Sequence, residues 1–365
     1  MRKNTITILF LACIAFSCST KIKNKDIDII NYAIQADKKL KDTLVDSVKF
    51  IKLLEPETNQ FSSISKIILK ENYIYILDKY GSGGIFVFDK NGKFISPIGK
   101  IGRAENEYIK AWDFDVTQNG VIVYDRGGKK LLWYTKEGIF IKSKKTDFVF
   151  DGLKSLKDGN LLVALGLNEQ QNEVCVVDSH IQITKTLLKF REGNKDDKIT
   201  DNVFQQTGDV IIYNRPINNI VYVFDEKGMY GCQFDFFNRN VPVQLQDSYD
   251  KFITKGGKGK YIYMYDCPIR IGQSYVFSVF CNGNKGALVY NTKLHVQTLT
   301  EWKKGMSTND IILPLYSDGY AVYGWMDDSV YELIKDKENI SDDIKNHLLH
   351  GGKVITVYYL NRELL

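Results

Sequence analysis

Residues 74–116 read IYILDKYGSGGIFVFDKNGKFISPIGKIGRAENEYIKAWDFDV. Two apolar runs, IYILD (74–78) and IFVFD (85–89), flank a short polar loop. The second leads into Asp89-Lys90-Asn91-Gly92 before the chain turns back. Asp opens such a turn by bonding nearby backbone N–H groups, and glycine supplies the positive φ that closes it. Runs that are apolar at nearly every position read as strands covered on both faces.

The unit recurs along the chain. Strand–turn–strand copies are IFVFDKNGKF (85–94), LLWYTKEGIF (131–140), VCVVDSHIQI (174–183), VYVFDEKGMY (221–230), ALVYNTKLHV (287–296) and YELIKDKENI (331–340). Their fourth turn positions are Gly92, Gly138, Ile181, Gly228, Leu294 and Glu338, separated by 46, 43, 47, 66 and 44 residues. Upstream strands precede them at 74–78, 121–125, 161–165, 210–214, 275–280 and 320–325, and shorter ones lie further upstream, such as ISKIIL (64–69) and AWDFDV (111–116). Four strands repeating about every 45 residues mark an all-β, six-bladed β-propeller with four-stranded blades. Two stacked sandwiches would not space their hairpins so evenly. An open ring would leave two edges ready to aggregate. VKFIKLL (48–54) and KVITVYYL (353–360) are therefore expected to join the same last blade and close it. The long interval leaves about 20 extra residues for an insert near 236–260. Within it, 245–260 is expected to form a short helix and a Gly/Lys loop. A second helix is expected over 339–352, with Ser341 as N-cap, Asp342 and Asp343 at its positive end, and Ile344, Leu348 and Leu349 facing the blade.

The N-terminus supplies an address. Arg2 and Lys3 precede an apolar run from Ile6 to Phe16 that is too short to span a bilayer, which is signal-peptide anatomy. The run ends in Ala15-Phe16-Ser17-Cys18, which resembles the loose lipobox of Bacteroidetes lipoproteins and implies lipidation at Cys18. The expected organisation is a signal peptide over 1–17, a lipidated cysteine and tether over 18–42, and a propeller over 43–365. Lysines follow Cys18 where surface-exported lipoproteins of that phylum often carry acids. A periplasm-facing, outer-membrane position is therefore expected over cell-surface display.

Composition is ordinary for a globular chain, at 44% hydrophobic and 25% charged residues. The net charge of +5 falls to +3 without Arg2 and Lys3, and its alternating signs form no basic face for nucleic acid. Cys175, Cys232, Cys267 and Cys281 allow three disulfide pairings, and no zinc-ligand spacing or catalytic signature such as GxSxG or HExxH is present.

The 74–116 stretch, the opening DSVKFIKLLEP (46–56) and the closing strand resemble the six-bladed β-propeller lipoproteins of gut Bacteroides, related to NHL-repeat propellers. Where that family has Gly-Arg-Gly-Pro-Gly-Glu-Tyr, this chain has Gly102-Arg103-Ala104-Glu105-Asn106-Glu107-Tyr108. The resemblance spans about residues 43–362 and implies fold and export, with no general activity attached.

For function, the sequence favours a non-catalytic binding module over an enzyme. Loops near the inner strands carry Arg103, Trp112, Arg126, Arg215 and Trp325, with Tyr80 and Asp327 beside them. Aromatic and arginine anchors of this kind suit a small molecule, glycan, peptide or envelope protein, in a role accessory to nutrient uptake. No cofactor is required by this reading. The alternative is a calcium-dependent, lactonase-like hydrolase with its site in the central channel. Its ligands would be Asp113, Asp115 and Asp266 with Asn202 nearby, since calcium takes six to eight oxygens. His347 and His350, three apart on the second expected helix, are a further but poorer metal pair.

Overall fold

The computed structural model describes residues 27–34, 44–55, 61–191, 200–334 and 339–365. The signal peptide, Cys13 and the lipidation candidate Cys18 lie outside the described residues. Six sheets form a ring of four-stranded blades, a six-bladed β-propeller. Blade 1 runs outward through Lys66–Lys70, Tyr73–Leu77, Ile85–Asp89 and Phe94–Pro97. The inner strands of blades 2, 3 and 4 are Ala111–Thr117, Phe150–Ser155 and Phe204–Thr207. Blade 5 has a split inner strand, Tyr263–Met264 and Ile269–Ile271, both pairing with Ser274–Cys281. Neighbouring blades bury apolar side chains between their faces: Leu77, Val87 and Ile98 of blade 1, for example, meet Phe114, Val116 and Val123 of blade 2.

The ring closes as the sequence indicates. Val45–Lys52 pairs antiparallel with Val354–Leu360, which pairs with Val322–Met326 and so joins both ends of the chain in blade 6. The sixth repeat copy is in the wrong place, however. Its first residue, Tyr331, ends the short helix Asp328–Tyr331, and residues 335–338 lie outside the described set. The two outer strands of blade 6 are instead Val354–Leu360 and Val45–Lys52, displaced from the repeat by the helical insert. The stretch read as tether also contributes structure. Ile29–Ala33 lies parallel to Gly228–Asp235 as a fifth, outermost strand of blade 4.

Both inserts form. Between blades 4 and 5 lie the helices Tyr249–Thr254 and Gly257–Lys260, the second, entered through Gly256 at a φ of 73°, standing where a Gly/Lys loop was expected. Helix Asp342–Leu349 begins at Ser341, whose hydroxyl accepts from Ile344 N. Ile344 and Leu348 are buried, but Leu349 is 62% exposed, because it is one position past the buried face. The turn prediction holds at Gly92, Gly138 and Gly228, with φ of 84°, 87° and 117°. Ile181 takes the same left-handed geometry at 66°, a strained choice for a β-branched residue that its burial compensates. Cys175, Cys232, Cys267 and Cys281 are all buried free thiols.

In each blade, the loop after the second strand and the loop to the next blade lie at one end of the ring, here the loop end. The tight hairpins after the first strand and, in blades 1 to 5, after the third strand lie at the other, the turn end. Both helical inserts belong to the loop end.

Candidate functional site

The inner strands line a central channel, and irregularities in two of them shape its loop end. The register between Ala111–Thr117 and its neighbour slips between Ala111 and Asp113. The register in blade 3 slips between Phe150 and Gly152. Such bulges re-aim a side chain out of the regular alternation, and the residues at these two slips are Trp112 and Asp151.

Three blades then place a cation at one equivalent position. Asp78, Asp125 and Asn214 stand at or one residue past the ends of the second strands, and the next residues are Lys79, Arg126 and Arg215. The preceding polar residue secures each loop. Asp78 accepts from the backbone of Ser62, Ser63, Gly81 and Ser82, Asp125 from Ile109 N and Gly128 N, and Asn214 donates to the carbonyls of Asn218 and Ile220. The loop geometry aims the following cation at the channel mouth.

Two cations there lie over one indole. The Arg126 guanidinium is 4.4 Å and the Lys79 ammonium 4.9 Å from the centre of the Trp112 ring, within cation–π range. Arg126 also donates to Asp151 at 3.2 Å, and Arg215 binds the other Asp151 oxygen at 2.8 Å. Arg215 is buried and further held by Tyr213 Oη, Leu165 O and Glu173. Burial opposes its charge, but the Asp151 and Glu173 carboxylates outweigh that and keep it protonated. Burial likewise pushes the Tyr213 phenol far up, so it stays neutral. Asp151 thus acts as a buried bridge that positions the half-exposed Arg126.

Across the mouth, Lys79 donates to Asp201 O at 2.9 Å and is itself fully buried. Asp266 accepts from Thr200 Oγ1, Asn202 N and Asn202 Nδ2. Burial, with Asp201 nearby, pushes its pKa up to about 7 despite those bonds. Several polar atoms here are buried without a partner: the indole donor Trp112 Nε1, and the acceptors Asp201 Oδ1 and Asn202 Oδ1. Partnerless buried atoms also occur elsewhere among the described residues, Trp302 Nε1 included; what these three share is their place around Lys79, which lies over the Trp112 ring and bonds Asp201 O beside Asn202.

Deeper in the channel the charged groups are paired. Asp113 binds Lys66 at 2.6 Å and Leu153 N at 2.8 Å. Asp115 binds Lys154 at 3.2 Å and Ser155 N at 2.8 Å. Gly152 leaves room for this contact, since a Cβ there would meet Val203 at 2.5 Å and the Asp113 carboxylate at 3.3 Å. Burial raises the Asp115 carboxyl, but Lys154, Lys66 and the Ser155 N–H together hold it below its usual value. Burial is the stronger influence on Lys66, whose pKa falls.

These contacts decide the fate of the residues singled out in the sequence. Trp112, Arg126 and Arg215 converge at the mouth. Arg103 is exposed on the 98–110 loop and makes no side-chain bond to that cluster; the loop itself is held by Tyr108 Oη on Ile98 O and Glu107 on Ala104 N. Trp325 packs among the apolar residues of blade 6 and its helices, far from a loop tip in its role. Asp327 caps the helix Asp328–Tyr331. Asp113 and Asp115 do not fit a calcium ion, because buried ammonium groups already occupy the position a cation would take. Asp266 faces Thr200 and Asn202 rather than those two aspartates. His347 and His350 each bond a backbone carbonyl, of Lys353 and Asn346. Among the described residues no group of three His, Cys, Asp or Glu is arranged to hold a metal. The site also contains Lys79, Asp151 and Glu173, which the sequence reading does not single out; the recurring Asp/Asn-cation pair is the one signal in the repeat that points to Lys79.

At the turn end the channel opens into a polar cleft of 720 Å³, lined by Lys70, Asp115, Trp133, Ser155, Lys157 and Asp209. Its charges are largely paired: Lys157 meets Asp209 at 2.6 Å, and Lys142 covers the Trp133 ring.

A family model described as a domain of unknown function, DUF4934, matches residues 25–348. The chain belongs to the DUF4934 family. Among solved structures, it is similar to a Bacteroides fragilis protein named as a candidate exported protein, with 17% identity, a TM-score of 0.75, and coverage of 92% of this chain and 100% of that one. It is also similar to a member of the DUF4221 family from Bacteroides vulgatus, with 11% identity, a TM-score of 0.58, and coverage of 88% and 98%. At these identities the likeness establishes the shared fold of this DUF4934 chain and nothing finer. No curated protein matches it by sequence. Among the described residues no helix is long and apolar enough to cross a membrane.

Proposed function

We propose that this DUF4934 propeller is exported, anchored by lipid at Cys18 in the outer membrane facing the periplasm, and non-catalytic. It binds a small ligand at the loop-end mouth of its channel, in a role accessory to nutrient uptake. The signal-peptide and lipobox pattern supports the address, as does the name of the B. fragilis structural relative. One observation carries the binding role. The buried Trp112 indole N–H has no acceptor although two cations crowd its ring, and the Oδ1 atoms of Asp201 and Asn202 opposite have no donors. Donors on one side and acceptors on the other suit a ligand with both an anionic group and hydrogen-bond donors. Amino acids, short peptides and hydroxy acids have that chemistry. Leaving buried groups unpaired costs about 1–3 kcal/mol each, which ligand binding would recover.

A melting-temperature screen tests this with amino acids, dipeptides, hydroxy acids, neutral disaccharides and calcium. The expected result is a rise with an anionic donor-bearing compound that Arg126→Ala abolishes. A ligand at 100 times its Kd stabilises by about 2.7 kcal/mol. A response to calcium or neutral sugars alone, unchanged in Arg126→Ala, would overturn the reading.

A further inference from the structure

The outermost strand of blade 4 carries directional information that bears on how the propeller sits on its membrane. Ile29 pairs with Gly231 and Ala33 with Asp235, in parallel. Gly228–Asp235 starts at the turn-end hairpin containing Glu226 and Lys227 and finishes at the loop-end insert. Ile29–Ala33 therefore enters from the turn end and heads toward the loop end. Its attachment is specific: Gly231 N donates to Asp28 O, Ile34 N donates to Asp235 O, and Tyr32 packs on Phe234 and Tyr290 with centroids 5.5 Å away.

We propose that the turn end of the propeller lies against the phospholipid bilayer and that the loop-end mouth points away from it. This rests on the lipid anchor at Cys18 argued above. Ten residues separate Cys18 from Ile29. A random chain of that many residues has a mean end-to-end distance of about 20 Å. The turn end lies only about 10 Å from Ile29, the rise of the three strand residues from Gly228 to Gly231. To bring the loop end to the membrane, the chain would have to double back along the whole of Ile29–Ala33, about 17 Å. It would then have to clear the helical insert, another ~10 Å. The polar turn-end cleft then faces lipid headgroups, and the exposed turn tips at that end include Lys227, Lys293, Leu294 and Tyr320 beside the acids Glu226 and Asp318. Ammonium groups and a tyrosine of this kind suit the bilayer interface.

The test uses the full chain, matured from its leader and reconstituted in phosphatidylcholine/phosphatidylglycerol vesicles with spin-labelled headgroups. Single cysteines at two exposed lysines of the same blade region, Lys227→Cys at the turn end and Lys258→Cys at the loop end, carry a fluorophore. The native thiols in the folded body are buried. The expected result is quenching at least threefold stronger at 227 than at 258. A lipidated protein with equal or reversed quenching overturns the orientation alone. Mass spectrometry showing no acyl group on Cys18 overturns the anchoring reading and the orientation with it.

Discussion

The two levels of the central channel use the same chemistry to opposite ends. In its depth, Asp113, Asp115, Lys66 and Lys154 are buried, paired and bonded to the backbone of neighbouring inner strands. At its mouth, Arg126 and Lys79 crowd one indole, while Trp112 Nε1, Asp201 Oδ1 and Asn202 Oδ1 have no partners. The deep groups tie blades 1, 2 and 3 together. The mouth groups are held rigid by Asp151 and Arg215 but left unfinished. A charged residue in a propeller channel is therefore no sign of function by itself; the state of its pairing distinguishes a brace from a site.

The largest effect should come from breaking the brace. Asp113→Ala leaves the Lys66 ammonium buried without its carboxylate, a loss of about 3–5 kcal/mol. Urea unfolding should show that loss. Adding Lys66→Met should recover much of it, because well-packed apolar groups replace buried ion pairs at little cost. A stable Asp113→Ala protein would erase the distinction between the two levels.

The pH dependence should sharpen the distinction next. The folded-state pKa of Asp266 is pushed up to about 7 from 3.8. Between those values the folded protein holds a proton that the unfolded chain has lost. Its contribution to stability is therefore full below about pH 4, declines as pH rises toward 7, and is flat above. Asp266→Asn, which stays neutral, should remove that decline. Asp115 has the opposite sign: its pKa is lowered, so its contribution is present above 3.8 and is lost as pH falls through its folded value. Urea midpoints measured from pH 3 to 8 separate the two; a slope between 4 and 7 that persists in Asp266→Asn would assign it elsewhere.

The smallest effect on stability should come from the mouth. Arg126→Ala leaves Asp151 bonded to Arg215 at 2.8 Å, so unfolding should change by less than about 1 kcal/mol. Ligand affinity should fall tenfold or more, the equivalent of a charge-assisted bond of about 1.5–3 kcal/mol. Titration calorimetry of both proteins gives the comparison. A large stability loss with unchanged affinity would make Arg126 a brace as well.

The ring, its closure and both helical inserts were legible because they rest on local signals: apolar runs, turn glycines and a helix cap. The sixth repeat was misplaced because the closing blade takes its outer strands from opposite ends of the chain, which no local period reports. At the mouth, Arg126 and Arg215 were visible only within a wider set of loop arginines and aromatics that also held Arg103 and Trp325, which lie elsewhere. The partner that Arg126 and Arg215 share, Asp151, was not, because it lies 64 residues from Arg215 and is aimed inward by a bulge. Asp113 and Asp115 were visible as channel carboxylates. Their lysine partners come from blades 1 and 3, so alternation along one strand could not reveal that they were already neutralised.

The most direct measurement follows the indole N–H signals of protein labelled with ¹⁵N-tryptophan. Four signals are expected from four tryptophans, and Trp112→Phe assigns the one that matters. Titration with whichever carboxylate compound most raises the melting temperature should shift the Trp112 signal as its N–H gains an acceptor, while the Trp302 and Trp325 signals hold still. A stabilising ligand that leaves the Trp112 signal unmoved would contradict the placement of the binding site at the channel mouth.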